Sequence, residues 1–351
     1  MDCRRRTASS HSGRDRCESA SFYGTRGRVP GRCRPLIVRL LFALGRHLPL
    51  RVLHLLGDVI GQAAWRLNRK GRRLALRNIE LCYPLLSRTE QRRMAQQAFR
   101  HYVKSLLEYP LVWTGCPQRL QSLIVEIEGR ELIDEALAQG KGLIIAAMHL
   151  GAFEVGIIPM SAHYPMTGMY KPIKNPQLDA LSRHGRTRFG GKVIPIVKRQ
   201  GKRAVGSDVL RALKRGEIIY TMPDRDPPRS HGVFAPYFGI STHSPVLIPR
   251  LVQATGARVL ICTGRRLPRG RGFAVRFTEP PAGYDSQDLC EAVAALNAGI
   301  ETSVRTMPDQ YWWNYKRFKR RPYGECCFYN GKTQAQPPAT EKPEISTLRA
   351  A

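Results

Sequence analysis

The apolar run Gly142-Leu-Ile-Ile-Ala-Ala-Met148 is followed at once by His149, and Glu154 comes five residues later. An imidazole is well suited to take a proton from a hydroxyl near neutral pH. A carboxylate on its other ring nitrogen orients it and favours the protonated form. Within one helix, residues i and i+5 point about 140° apart at ~3.6 residues per turn. The pair therefore meets only if His149 sits in a turn ahead of a new helix and Gly151 folds the chain back. Junctions of this kind, at the carboxyl edge of an α/β sheet, are where such folds bind ligands, and a helix N-terminus offers free N–H donors to an anion. Taken by themselves, the two residues fit a base with its orienting acid or a buried histidine with a satisfied hydrogen bond.

Other polar residues are less specific. Asp224 and Asp226, in Met222-Pro-Asp-Arg-Asp226, are two carboxylates without further ligands, so a structural role such as holding an arginine is preferred to a metal site. Lys171 and Lys174 read equally as phosphate contacts or surface lysines. Near the end, Tyr311, Trp312, Trp313, Tyr315 and Phe318 interleave with Lys316, Arg317, Lys319, Arg320 and Arg321. That mixture suits single-stranded nucleic acid and equally a membrane interface.

The elements that position these groups follow from periodicity. Short apolar runs at residues 123–128, 142–148, 165–170, 193–196, 217–221, 258–263 and 273–277 predict strands. Helical periods at about 130–139, 152–162, 176–189, 203–215, 244–255 and 285–306 fit around them, which means an α/β sheet with helices on its faces. Ser87-Arg-Thr-Glu90 is a capping box, and it opens a helix with Met94, Ala95, Ala98, Phe99, Tyr102, Val103, Leu106 and Leu107 on one core stripe. Residues 35–65 read as an amphipathic segment lying on a bilayer, or as a surface helix packed on the domain. Residues 65–77 carry six cations and no acid, as a headgroup-binding patch would.

The chain has 351 residues, 57 Lys+Arg against 27 Asp+Glu, a net charge of +30 and 42% hydrophobic residues. Global disorder is excluded, and the charge calls for a polyanionic partner, either nucleic acid or an anionic membrane. Nine cysteines without a C-x-x-C form no disulfide framework, so a reduced, cytosol-facing location is expected. The best apolar window, residues 36–67, is broken by Arg39, Arg46, Arg51 and Asp58, too often for a span. Residues 1–34 are expected to be a disordered basic extension, or a start assigned too far upstream. A helical membrane-associating region at 35–115, an α/β domain at 116–325 and a frayed tail at 326–351 complete the expected organisation.

His-x4-Glu after an apolar strand resembles the H-x4-D/E signature of glycerolipid-type acyltransferases, and is closer to the branch that adds secondary acyl chains to lipid A, usually H-x-G-N-W-E. Tyr170-Lys-Pro-Ile-Lys-Asn-Pro176 resembles its Y-R-P-x-K-N-P block. Met222-Pro-Asp-Arg-Asp226 with Gly232-Val-Phe-Ala-Pro-Tyr-Phe-Gly239 resembles P-D-Q-D…G-V-F-V-P-F-F-G, and residues 308–322 resemble its P-E-Q-Y-x-W-x-H-R-R-F-K-T-R-P ending. Arg72-Arg-Leu-Ala-Leu-Arg-Asn78 and Cys82-Tyr-Pro84 also match, so the likeness runs from about 36 to 325. Ala152-Phe153 stands for Asn-Trp, Arg225 for Gln, and Ser241-Thr-His-Ser-Pro245 for a Thr/Ala-rich stretch.

The resemblance implies a mixed central sheet flanked by helices, glycerolipid-acyltransferase-like, with an amphipathic helical N-terminal region. It implies an acyl donor on acyl carrier protein and an acceptor hydroxyl on a lipid A precursor, with no cofactor or metal. His149 is then the base and Glu154 its orienting acid. The N–H groups of Leu150 and Gly151 are oxyanion candidates. Arg186 and Arg188, matching a G-R-x-R pair, are expected to bind substrate phosphate or oxyanion, and Lys171, Lys174 and Asp224 complete the substrate-binding set. The expected location is the cytoplasmic face of a bacterial inner membrane, peripheral or monotopic, against an anionic lipid surface. Two alternatives stand: transfer to another glycolipid such as a phosphoinositide mannoside, and a basic non-catalytic nucleic-acid-binding protein, for which no recognition motif is found.

Overall fold

The computed structural model describes residues 34–196, 198–199, 202–203 and 205–330. The basic extension expected at 1–34, save Arg34, and the tail beyond Asn330 lie outside the described residues. Four helices come first: α1 (Arg34–Gly45), α2 (Leu50–Leu67), α3 (Arg69–Cys82) and α4 (Arg88–Thr114). The capping box opens α4: Ser87 N donates to Glu90 at 2.8 Å, and Glu90 N donates to Ser87 Oγ at 3.3 Å. Of the stripe on α4, Ala95, Ala98, Phe99 and Val103 are buried, whereas Leu106 is exposed. Helix α2 crosses α4 closely at Gly61, where a Cβ would stand 2.6 Å from Arg100 Cα.

After α5 (Pro117–Ser122), strands and helices alternate: β1 (Ile124–Glu128), α6 (Glu131–Ala138), β2 (Leu143–Gly151), α7 (Phe153–Ile157), β3 (Met166–Tyr170), α8 (Pro176–Thr187) and β4 (Lys192–Pro195). Two-residue strands β5 (Lys198–Arg199) and β6 (Lys202–Arg203) precede α9 (Val205–Lys214) and β7 (Ile218–Thr221). Then come β8 (Gly232–Tyr237), β9 (Ile240–Pro245), α10 (Leu247–Thr255), β10 (Arg258–Arg266), β11 (Phe273–Thr278) and α11 (Leu289–Thr306).

All seven predicted strands are present and join one sheet in the order β1-β11-β10-β2-β7-β3-β4. Every pairing is parallel except β10 with β11. The sheet is therefore mixed and mostly parallel, with helices around it. Strand β2 lies at its centre and is buried on both faces, which explains its unbroken apolar run. Ile144, Ala146, Met148 and Leu150 join the core cluster that takes in α9, α10 and α11, while Leu143, Ile145 and Ala147 join the one on the opposite face.

Three features depart from the expected pattern. Strand β2 continues through His149 to Gly151, because Leu150 bridges Tyr311 and Gly151 pairs with Gly264. Helix α7 stops at Ile157 and passes into a 3-10 turn at Pro159–Ala162, since Pro159 brings no N–H to continue the ladder. The β8–β9 hairpin was not anticipated, because its prolines and polar residues mask the alternation of a strand.

Candidate active site

The register of the sheet brings the central residues together. Strands β2 and β7 are parallel neighbours with Ala146 opposite Thr221. Three residues further along each chain stand His149 and Asp224, both at the carboxyl edge. His149 N donates to Asp224 Oδ2 at 2.9 Å, and its ring Nδ1 lies 2.9 Å from Oδ1 and 3.1 Å from Oδ2. Asp224 is 3% exposed. Burial pushes its carboxyl up, but the adjacent His149 charge and hydrogen bonds outweigh that, and the result is a value of about 2. A carboxylate on Nδ1 fixes the tautomer with Nε2 as the open nitrogen. Phe153 and Trp312 flank the imidazole, each ring centroid 5.3 Å away. Trp312 N also donates to the His149 carbonyl at 3.1 Å.

The carboxylate on the His149 ring is Asp224, whereas Glu154, to which the spacing assigned that place, has other partners. Phe153 opens α7 and Glu154 is its second residue, so its side chain leaves toward α4 and α8 rather than back to His149. There it accepts hydrogen bonds from Trp113 Nε1 and Arg186 Nη2. Arg186, on α8, is held between the rings of Trp113 and Tyr170, 5.8 Å from each centroid. This guanidinium, expected to meet a substrate phosphate, is already neutralised by a carboxylate that is itself 8% exposed.

The remaining expected residues scatter. Asp224, expected among the substrate contacts, faces the histidine from within the protein. Arg188 donates to the Gly115 carbonyl and stacks on Phe189 at 4.7 Å, away from the histidine. Lys171 and Lys174 are exposed in the loop after β3, on the same sheet edge as His149. Leu150 and Gly151 belong to β2 and are engaged in backbone pairing, where an open turn was expected; the Ala152 N–H goes to Gly264 O at 2.6 Å. Asp226 takes the structural part foreseen for both aspartates, accepting from Arg320 and meeting His243 Nδ1 at 3.0 Å.

Much of the aromatic and basic ending block is packed into the core, while Lys316 and Lys319 stay exposed. Tyr311, Trp313, Phe318, Arg317 and Arg321 are all buried, and Arg317 donates to His243 O at 2.7 Å and Ser244 Oγ at 2.6 Å. The block wraps the hairpin and closes over β2, which explains why it needs both rings and cations. This burial weakens one of the two observations behind a nucleic-acid reading, the other being the net charge of +30.

The profile of the family described as bacterial lipid A biosynthesis acyltransferase matches residues 26–320. The chain belongs to that family. It is 29% identical to the lipid A biosynthesis lauroyltransferase of Escherichia coli (strain K12) over 79% of this chain and 88% of that protein. Identity to the palmitoleoyltransferase of the same organism is 30%, covering 80% and 90%; to its myristoyltransferase it is 27%, covering 78% and 83%. As a member, this chain is an acyltransferase, and its family's work is acyl transfer in lipid A biosynthesis. Residue spacing alone did not reveal the parts of Asp224, Trp113 and Trp312. The parallel offset between β2 and β7 would have disclosed Asp224, but strand neighbours cannot be ordered from spacing.

Proposed function

We propose that the protein transfers an acyl group from an acyl carrier protein thioester to a hydroxyl of a lipid A precursor, with His149 as general base. The observation that carries the mechanism is the His149–Asp224 pair at the carboxyl edge of a buried parallel strand. Nε2 removes the proton of the acceptor hydroxyl as its oxygen attacks the thioester carbonyl carbon. The tetrahedral intermediate collapses with loss of the carrier thiolate, which takes the proton back from the imidazolium. The products are the ester and the free carrier thiol. Asp224 holds the tautomer and stabilises the imidazolium. Glu154 acts through Arg186, keeping α7 and α8 in register beside the histidine.

Family membership and the acyl groups named in the relatives support the donor and acceptor classes. An inner-membrane surface location fits the helices that precede the sheet. Leu40, Leu41 and Leu44 of α1 and Leu55, Leu56, Val59 and Ile60 of α2 are exposed, and no helix among the described residues is long and apolar enough to cross a membrane. Exposed Arg66, Arg69, Lys70, Arg73 and Arg77 follow directly. Purified protein mixed with an acyl-carrier thioester and a lipid A precursor should yield the acylated product. His149→Ala should lower turnover by ~10²–10⁴-fold, as for loss of a positioned base. Normal turnover by the folded variant would sink the mechanism.

A further inference from the structure

Arg266 ends β10, and its guanidinium is almost wholly enclosed. Nε and Nη2 each lie 2.7 Å from a Glu108 oxygen, forming a fork. Nη2 also lies 2.7 Å from Ser105 Oγ and 2.9 Å from the Gly151 carbonyl. From α2, His54 Nε2 reaches Glu108 Oε1 at 2.8 Å. The backbone of Arg266 grips the Gln310 side chain, N to Oε1 at 3.0 Å and Nε2 to O at 3.2 Å. Gln310 precedes Tyr311, the bridge partner of Leu150. Ser105 Oγ accepts in turn from Trp312 Nε1 at 3.3 Å, and Trp312 flanks His149.

Three routes thus run from one arginine to the residues after His149. A small cavity lined by Tyr109, Ala152, Phe153, Glu154 and Arg266 lies beside that strand end. A buried charge cluster is a poor stabiliser, because apolar residues of similar volume often serve as well or better. What apolar residues cannot supply is a donor on the Gly151 carbonyl.

We propose that Arg266, held by Glu108 and His54, is a positioning residue that fixes the Gly151 carbonyl and through it the placement of His149. The kinetic arm of its test rests on the acyl-transfer reading; the exchange arm does not.

The test is hydrogen–deuterium exchange and steady-state kinetics on the full chain, comparing the parent with Arg266→Lys and Ser105→Ala. Lysine keeps a cation opposite Glu108 and loses the fork. In Arg266→Lys, amide exchange in residues 148–153 should rise about tenfold or more while β3 and β4 keep parental exchange. Its kcat should fall about tenfold with KM held within about twofold. Ser105→Ala should shift both in the same direction, by about threefold. Parental exchange and kcat in a folded Arg266→Lys would overturn the proposal, as would exchange rising equally across the sheet, which is what a purely structural role gives. If Arg266→Lys does not fold, unchanged exchange at 148–153 in Ser105→Ala overturns it. A parent that transfers no acyl group refutes the acyl-transfer reading, and the exchange measurement still decides this one.

Discussion

Asp224 grips His149 twice, at the backbone N–H and at ring Nδ1, so one carboxylate sets both the strand end and the tautomer. Asp224→Asn keeps the shape but also offers a donor to Nδ1, and kcat should drop about 10³–10⁴-fold with KM little changed. Steady-state kinetics on a variant shown to be folded checks this. The acid limb of stability carries a second signature. Folding lowers the Asp224 carboxyl from 3.8 to about 2, so its contribution is fully present above pH ~4 and is lost as pH falls toward ~2. Parent and Asp224→Asn should therefore converge in stability across that window, read by denaturant melts at each pH. Glu154→Gln tests a different bond. It leaves the half-buried Arg186 guanidinium without its counter-charge and should destabilise by about 1–3 kcal/mol, seen in the same melts.

Among the elements, the end of β2 is constrained most tightly. Gly151 has φ +58°, and a Cβ there would stand 2.1 Å from the Gly264 carbonyl oxygen. Gly264 is equally pressed, with Ala152 O 2.6 Å from its own Cβ position. Two glycines on neighbouring strands thus let the chain leave the sheet two residues after the histidine. Gly151→Ala should lose stability by about 1–3 kcal/mol from strain and overpacking, and lose most activity because the shift is passed straight to His149. Thermal melts and turnover on the same preparation check both. Parental values would mean that the strand end is looser than its packing indicates.

Over the whole molecule, apolar and cationic surfaces are segregated into adjoining helices. The outward rows of α1 and α2 expose Leu40, Leu41, Leu44, Leu55, Leu56, Val59 and Ile60, the kind of surface that marks an interaction site, and α3 follows with its cations. Arg72 is half-buried, donating to the Trp65 carbonyl at 2.9 Å and stacking on its ring, so in the proposed surface attachment the headgroup contacts fall to Arg69, Lys70 and Arg73. Each should contribute about 1 kcal/mol toward an anionic surface, screened over a Debye length of ~8 Å at physiological salt. Flotation with anionic vesicles should show binding that weakens with salt to a hydrophobic remainder. Replacing those three residues with Gln should mimic high salt. Equal, salt-independent binding to neutral and anionic vesicles would refute surface attachment.

The sequence by itself determined the strands and most helices, because apolar period and caps are local properties: all seven sheet strands and the α4 capping box were legible in it. It also singled out His149 as a candidate base, but only through the resemblance its block carries; the residue types and spacing alone fit a buried histidine as well. Partners were beyond its reach. The spacing of His149 and Glu154 suggested a pair, yet Glu154 answers to Arg186 and Trp113, residues 32 and 41 positions away. Asp224, 75 positions from the histidine, is its true partner because β7 inserts between β2 and β3. The aromatic and basic ending likewise reads as a surface, yet the fold encloses Tyr311, Trp313, Arg317, Phe318 and Arg321. Residue type and period are fixed by nearest neighbours along the chain, whereas which carboxylate meets which base depends on strand order, and only long-range packing sets that.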